Sequence, residues 1–324
     1  MSKARFIFPI FLASVSVAMP ARAQDADMLA PDNTDPAVLR GGKLLLTNGV
    51  TTVEGASGGG IATWATIGGL EMRGDIGLTG HVTVVELPDF GFQSHGVALG
   101  IANRVELSYT RQNFDTRDVG TALGLGEGFS FNQDIFGAKL RLFGDLVYGD
   151  PLMPQISIGA QHKRSRDGAI VRAVGALDAK GTDLFIAASK LFLSHSVLAS
   201  ATVRRTSGNQ GGLLGFGGPD AKDAHLQFEG SVAYQFSRRA VVGAEYRSKP
   251  DNLGLGEDDW MDIFAAYAVT DHVTITAAYS DLGSIATFED QRGAFLSAHV
   301  RRQNIWHKSR RKLAECGPRL RVDV

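Results

Sequence analysis

The chain has 324 residues, a formal charge of −1, 39 glycines and one cysteine. A lone Cys316 excludes an internal disulfide framework, and near-neutral charge gives no nucleic-acid-binding profile. The charge is nonetheless unevenly placed. Eight Lys/Arg against two Asp/Glu make 301–324 strongly basic, and the first 23 residues carry only Lys3, Arg5 and Arg22, so the body between them is about −10.

In chain order, the first element is a secretory signal peptide over 1–23. Lys3 and Arg5 form its basic start, Phe6 to Met19 its uncharged apolar run, and Ala21-Arg22-Ala23 a small-x-small cleavage pattern. That run is shorter than the ~20 residues a spanning helix needs. Residues 24–41 are polar, with Asp-Pro and Pro-Asp pairs, and read as a flexible periplasmic lead-in.

From 42 to 300 the chain breaks into short alternating segments. In His272–Ser280, Val273, Ile275, Ala277 and Tyr279 fall on one face and Thr274, Thr276, Ala278 and Ser280 on the other. The same period of two runs through Val105–Thr110, Phe136–Leu142, Ile156–Gln161, Phe228–Gln235 and Ala240–Arg247. Short turns near 102–104, 149–153, 194–196, 237–239 and 270–272 alternate with longer polar, glycine-rich stretches at 113–130, 164–181, 207–224, 250–258 and 282–292. An exported chain with no later apolar helix and this rhythm is expected to be all-β, an antiparallel transmembrane β-barrel. Twelve strands from about 77 to 300 alternate cleanly. If Ile61–Gly69, with Trp64, joins as a strand, 43–53 must join too and the count becomes 14.

Alternation assigns faces. Glu106, Lys139, Arg141, Arg204, Glu229, Glu245 and Arg247 are candidate lumen-facing residues, since a charge facing lipid is costly. They would form either a charge-selective constriction or an internal salt-bridge network bracing a narrow barrel. Tyr109, Tyr246 and Tyr279 fall late in outward-running strands, and Tyr148, Tyr234 and Tyr267 late in inward-running ones, as the two aromatic girdles of a membrane barrel require.

Other motifs are less specific. Glu257, Asp258, Asp259 and Asp262 could hold Ca²⁺ but lack EF-hand spacing and read better as a solvated acidic loop. Leu123-Gly124-Leu125-Gly126-Glu127 recurs at 253–257, as chance allows in a glycine-rich chain. Leu213 to Gly218 is apolar and lacks the Lys-Ser/Thr of a phosphate loop, so it fits an external loop folding over the pore mouth. Ser108, Ser189, Ser200 and Ser231 have no Gly-x-Ser-x-Gly elbow, and the histidines have no metal-ligand spacing. No catalytic residue, cofactor or metal site is expected. The basic stretch 301–324, with Trp306, reads as a disordered appendage.

The chain resembles a proteobacterial family, domain-of-unknown-function family 3034. The stretches that carry the resemblance are Gly41 to Thr47, Glu54-Gly55-Ala56, Gly58-Gly59-Gly60, Arg104 to Ser108, Gln133 to Gly137, Leu213 to Gly218, Gly243 to Gly254 and Asp290 to Gly293. They spread over about 41–298. The resemblance implies an outer-membrane barrel and brings no ligand residues with it. Members usually stop after the last strand, often on an aromatic residue, whereas here Val300 runs into Arg301-Arg302 and the basic stretch.

The expectation is therefore an outer-membrane channel passing small, including hydrophobic, solutes passively, with outer-membrane lipids and an unidentified solute as partners. The alternatives are a structural or surface-interaction barrel with a filled lumen and, third, a membrane-embedded hydrolase.

Overall fold

A computed structural model describes residues 43–47, 49–71, 75–148, 150 and 152–303. The expected signal peptide, lead-in and most of the basic stretch lie outside the described residues.

Two two-residue strands, β1 (Val50–Thr51) and β2 (Ser57–Gly58), pair only with each other. Twelve long strands follow: β3 (Ile76–Glu86), β4 (Gly91–Ile101), β5 (Val105–Asp115), β6 (Ser130–Phe143), β7 (Gln155–Ser165), β8 (Lys180–Phe192), β9 (Val197–Thr206), β10 (His225–Ser237), β11 (Ala240–Arg247), β12 (Trp260–Ala268), β13 (Val273–Asp281) and β14 (Arg292–Gln303). Each pairs antiparallel with its chain neighbour, and β14 closes on β3 from Ala294↔Glu86 to Gln303↔Gly77, making a closed barrel. Closure leaves no free sheet edge.

The alternation seen in sequence becomes two chemically opposite surfaces. In β5, Glu106, Thr110 and Gln112 are buried inside while Leu107 and Tyr109 are exposed outside. In β13, Thr274, Thr276 and Ser280 are inside, and Ile275 and Tyr279 outside. Outside, Leu78, Val82, Val97, Phe136, Ile186, Val232, Ile263 and Leu296 continue the apolar surface around the wall. The strands are 8 to 14 residues long, bracketing the ~9–11 that a tilted membrane-crossing strand uses. No described helix is long and apolar enough to cross a membrane.

The count is twelve, not fourteen. Ile61–Gly69 is not a wall strand, nor is 43–53. The described residues from 49 to 71 run through the barrel interior, with Ile61, Ala62, Trp64, Ala65 and Ile67 buried. Glycines at 58, 59, 60, 68 and 69 let it curl, whereas a wall strand must stay extended. The wall also outlasts its expected end at 300, because β14 continues through Arg301 and Arg302 to Gln303.

One mouth is closed by the connections 102–104, 144–154, 193–196, 238–239 and 269–272. The other carries 87–90, 116–129, 166–179, 207–224, 248–259 and 282–291, with short helices α1 (Val119–Ala122) and α2 (Gly168–Ala173). The short–long rhythm holds with one exception at each mouth. The connection 87–90 is a four-residue turn on the long-loop side, and 144–154 is an eleven-residue link on the other.

Candidate functional site: the filled lumen

Segment 43–71 is a re-entrant plug whose two ends meet at the short-turn mouth. There the Lys43 ammonium donates to the Ile67 carbonyl at 2.7 Å and to Glu71 Oε1 at 2.6 Å. Gln235, near the short-turn end of β10, donates to the Leu45 carbonyl. The tip, Val53 to Gly55, reaches toward the long-loop mouth, where Ser94 Oγ and Gln112 Nε2 both donate to the Val53 carbonyl at 2.7 Å.

Most of the sequence-assigned lumen residues meet on this plug. Glu245 Oε2 accepts three successive backbone N–H groups, from Gly60 at 2.5 Å, Ile61 at 2.9 Å and Ala62 at 3.4 Å. Such a nest of amides suits a carboxylate. A Cβ on Gly59 would lie 1.7 Å from Glu245 Oε1, so any larger residue would push the carboxylate off its amides. Glu106 accepts from the Ser57 and Gly68 amides at 3.1 and 2.6 Å. Beside it, the Lys139 ammonium donates to the carbonyls of Ser57, Trp64 and Thr66. Glu229 Oε2 accepts from the Thr63 amide at 2.7 Å. Non-strand backbone inside a barrel must find partners for its polar groups, and the wall side chains supply them. Arg141 stands apart from this group at the short-turn mouth, donating to Asp145 Oδ2 at 2.9 Å and the Gly144 carbonyl.

Around the tip the charges form one buried network. Glu54 Oε1 pairs with Lys163 Nζ at 2.5 Å and Arg247 Nη2 at 2.8 Å, and its Oε2 lies 3.6 Å from Arg204. Lys163 and Arg204 share Asp183 at 2.8 and 3.4 Å, and Arg204 Nε reaches Glu229 at 2.6 Å. Three cations thus face three acids with side chains no more than 7% exposed. Balance is required there, because an unpaired charge in a dry interior costs several kcal/mol. Glu54, Lys163 and Asp183 were not singled out from sequence. Their signals were present: Glu54 sits in the Glu54-Gly55-Ala56 stretch, and Lys163 continues the inward face of Gln161.

Two apolar layers flank this polar middle. Trp64 packs on Leu146, Leu191, Leu198, Ala233 and Phe264 toward the short-turn mouth. At the other end Val53, Phe90, Phe114, Phe131, Leu213, Leu214 and Phe295 form a roof. The apolar loop Leu213–Gly218 folds inward into it, and the Gly211 carbonyl accepts from Lys163 Nζ at 3.0 Å. A gap beside Arg204, Arg247 and Trp260 measures about 10 Å³, and one beside Lys43, Ile67 and Arg141 about 30 Å³. Such spaces hold a water molecule and no solute.

The remaining candidates disperse. Tyr246 and Tyr279 lie on the outer face toward the long loops, and Tyr234 and Tyr267 on the outer face toward the short turns, whereas Tyr109, fifth of the eleven residues of β5, sits on the outer face at mid-strand and not late in it. Tyr148 is not in a strand. It lies in the 144–154 link, because β6 ends at Phe143. There Asp145 accepts the amides of Val147 and Tyr148. Burial pushes the Asp145 carboxyl up, but these amides and the Arg141 guanidinium outweigh it and hold it below the usual carboxylate range.

The acidic group at 257–262 divides its work. Glu257 pairs with Lys249 at 2.7 Å, Asp258 accepts the Ser284 amide, Asp259 accepts from Lys249 N and the Tyr246 hydroxyl, and Asp262 points inward. Burial pushes the Lys249 ammonium below its usual range against the opposing pull of Glu257. Among the described residues no cluster of His, Cys, Asp and Glu could hold a metal ion. Ser189 Oγ accepts the Ala65 amide and bonds Ser200 Oγ, so both serve the plug.

Among solved structures, the KdgM porin is similar at TM-score 0.46 and 9% identity, covering 68% of this chain and 98% of that one. The NanC porin is similar at 0.44 and 10%, covering 69% and 98%. Outer membrane phospholipase A from Escherichia coli is similar at 0.39 and 8%, covering 71% and 93%. No curated protein matches the chain in sequence. A family model does match residues 47–299, plug and wall together, and the chain belongs to that family, described as "Protein of unknown function (DUF3034)".

Proposed function

We propose that the chain is an outer-membrane barrel that conducts small polar solutes only when segment 43–71 leaves or shifts within the lumen. The observation that carries this is the pairing of a polar wall with a polar plug. Inward Thr, Ser, Gln and charged side chains are a lining that water can wet once the plug moves. The outward apolar surface and the two levels of outer-face tyrosines support a membrane setting with aromatic girdles. On that reading the short turns are periplasmic and the long loops external, and lipids are partners of the outer face.

A passive, permanently open channel does not fit a lumen with gaps of this size. The apolar loop at 213–218 spends its surface in the roof, so a polar solute suits the wall better than a hydrophobic one. The burial of that roof favours a second reading, a barrel with a filled interior that serves as a scaffold for its loops.

Planar-bilayer recording separates the two. Refolded mature protein, 24–324, is expected to insert silently, and a version lacking 43–71 is expected to give discrete current steps. Charge reversal at Glu229 or Arg204 should then alter its ion selectivity. A deletion protein that folds as a heat-modifiable barrel yet passes no current would sink the channel reading and leave the scaffold.

A further inference from the structure

The outer face of β5–β9 differs from the rest of the apolar belt. Near the long-loop end, cross-strand pairing sets Arg111 beside Asp134, Asp134 beside Arg164, and Arg164 beside Lys180. All four alternate onto the outside. Arg166 follows directly after β7, and Arg205 is the penultimate residue of β9. Asp134 is already engaged, accepting from Arg166 Nε at 2.7 Å and the Tyr109 hydroxyl at 3.0 Å. Arg111, Arg164, Lys180 and Arg205 make no ion pair among the described residues.

Directly below this row the wall is dented. Ala138 and Ala160 face each other across β6 and β7 and point outward, between larger neighbours. The result is a groove of about 770 Å³ lined by Leu140, Ile158, Leu184, Ile186 and Val203, with Arg205 and Leu226 among its residues. An apolar trough rimmed by unpaired guanidinium and ammonium groups matches a molecule with acyl chains and phosphate. Arginine grips phosphate through paired N–H donors, and basic residues at a membrane surface attract anionic lipid. Elsewhere on this rim Arg292 pairs with Asp281 and Arg117 with Glu86.

We propose that the β5–β9 face binds a phosphorylated glycolipid of the outer leaflet, its acyl chains in the groove and its phosphates on Arg164, Lys180 and Arg205. This rests on the membrane reading above, with the long loops external.

The test is native mass spectrometry of refolded mature protein in detergent, titrated with diphosphorylated lipid A. Arg164→Glu with Arg205→Glu should weaken binding at least about tenfold. Ala160→Leu, which fills the groove on the outer face, should weaken it about threefold or more. Dephosphorylated lipid A should bind at least about tenfold more weakly, and inorganic phosphate at equal concentration should not compete. Arg292→Glu on the opposite face should leave binding unchanged, and heat-modifiable mobility checks that each variant folds. Undiminished binding by the double variant, equal binding of the dephosphorylated lipid, competition by phosphate alone, or an equal loss in Arg292→Glu would each overturn the proposal. Flotation with vesicles separates the two readings. A chain that does not float fails the membrane reading itself, and one that floats without preferring the phosphorylated lipid fails this proposal alone.

Discussion

The interior of this barrel is held in two chemically different ways. Its middle is a polar interface, where the wall residues Glu106, Glu229, Glu245 and Lys139 grip a plug through its backbone and Arg204 through the plug's own Glu54. Its ends are apolar, with Trp64 below and the Leu213–Leu214 roof above. Buried ion pairs add little net stability but fix geometry, since each mispaired arrangement leaves a charge alone. Apolar burial is non-directional and contributes roughly in proportion to area. The contrast teaches a division of labour. The polar middle specifies where the plug sits, while the apolar ends supply much of the adhesion that displacement must overcome.

That division can be broken from either side. The largest effect is expected from Glu54→Gln, which leaves Lys163, Arg204 and Arg247 facing only Asp183 and Glu229. Stability of the plugged state should fall by about 3–5 kcal/mol, read by denaturant unfolding of the refolded barrel. Conductance steps should accompany the loss. A variant as stable as the parent would show that the network does not hold the plug.

Leu214→Ala tests the other side. Truncating a roof leucine should cost about 2–5 kcal/mol, with hydrogen exchange rising in 207–217 while the Gly60–Ala62 amides on Glu245 stay protected. Equal exchange at both sites would mean the two regions act as one unit.

A smaller change is expected at the nest. Gly59→Ala puts a methyl against Glu245 and should cost about 1–3 kcal/mol by overpacking, and Gly59→Ala with Glu245→Asp should recover part of it. No recovery would place the strain elsewhere.

The smallest effect is pH-dependent and local. The Asp145 carboxyl is held below its unfolded range, so its contribution is present above about pH 4 and is lost as pH falls through the folded value. Limited proteolysis of the 144–154 link with an acid-active protease should therefore rise at low pH in the parent. In Asp145→Asn it should stay flat with pH. A parallel rise in both would assign the acid sensitivity to another group.

The sequence by itself determined the wall. Period-two alternation depends on neighbouring residues alone, so β5, β7, β10, β11 and β13 could be placed with their faces before any partner was known. The same alternation put Glu106, Lys139, Arg204, Glu229, Glu245 and Arg247 inside, because their apolar neighbours along each strand take the opposite, outward side. The turn residues separated the two mouths, apart from the tight 87–90 turn and the longer 144–154 link.

Only the tertiary structure decided what the inward charges touch. Ile61–Gly69 carries apolar residues much as a wall strand does, and nothing local says that it curls into the lumen. That outcome rests on Glu245 meeting amides 183 to 185 residues away and on Glu54 meeting Arg247 across 193. The row of Arg111, Arg164 and Lys180 likewise exists only through register, since each belongs to a different strand. Local pattern fixes which way a side chain points, whereas closure of the barrel fixes what stands opposite it.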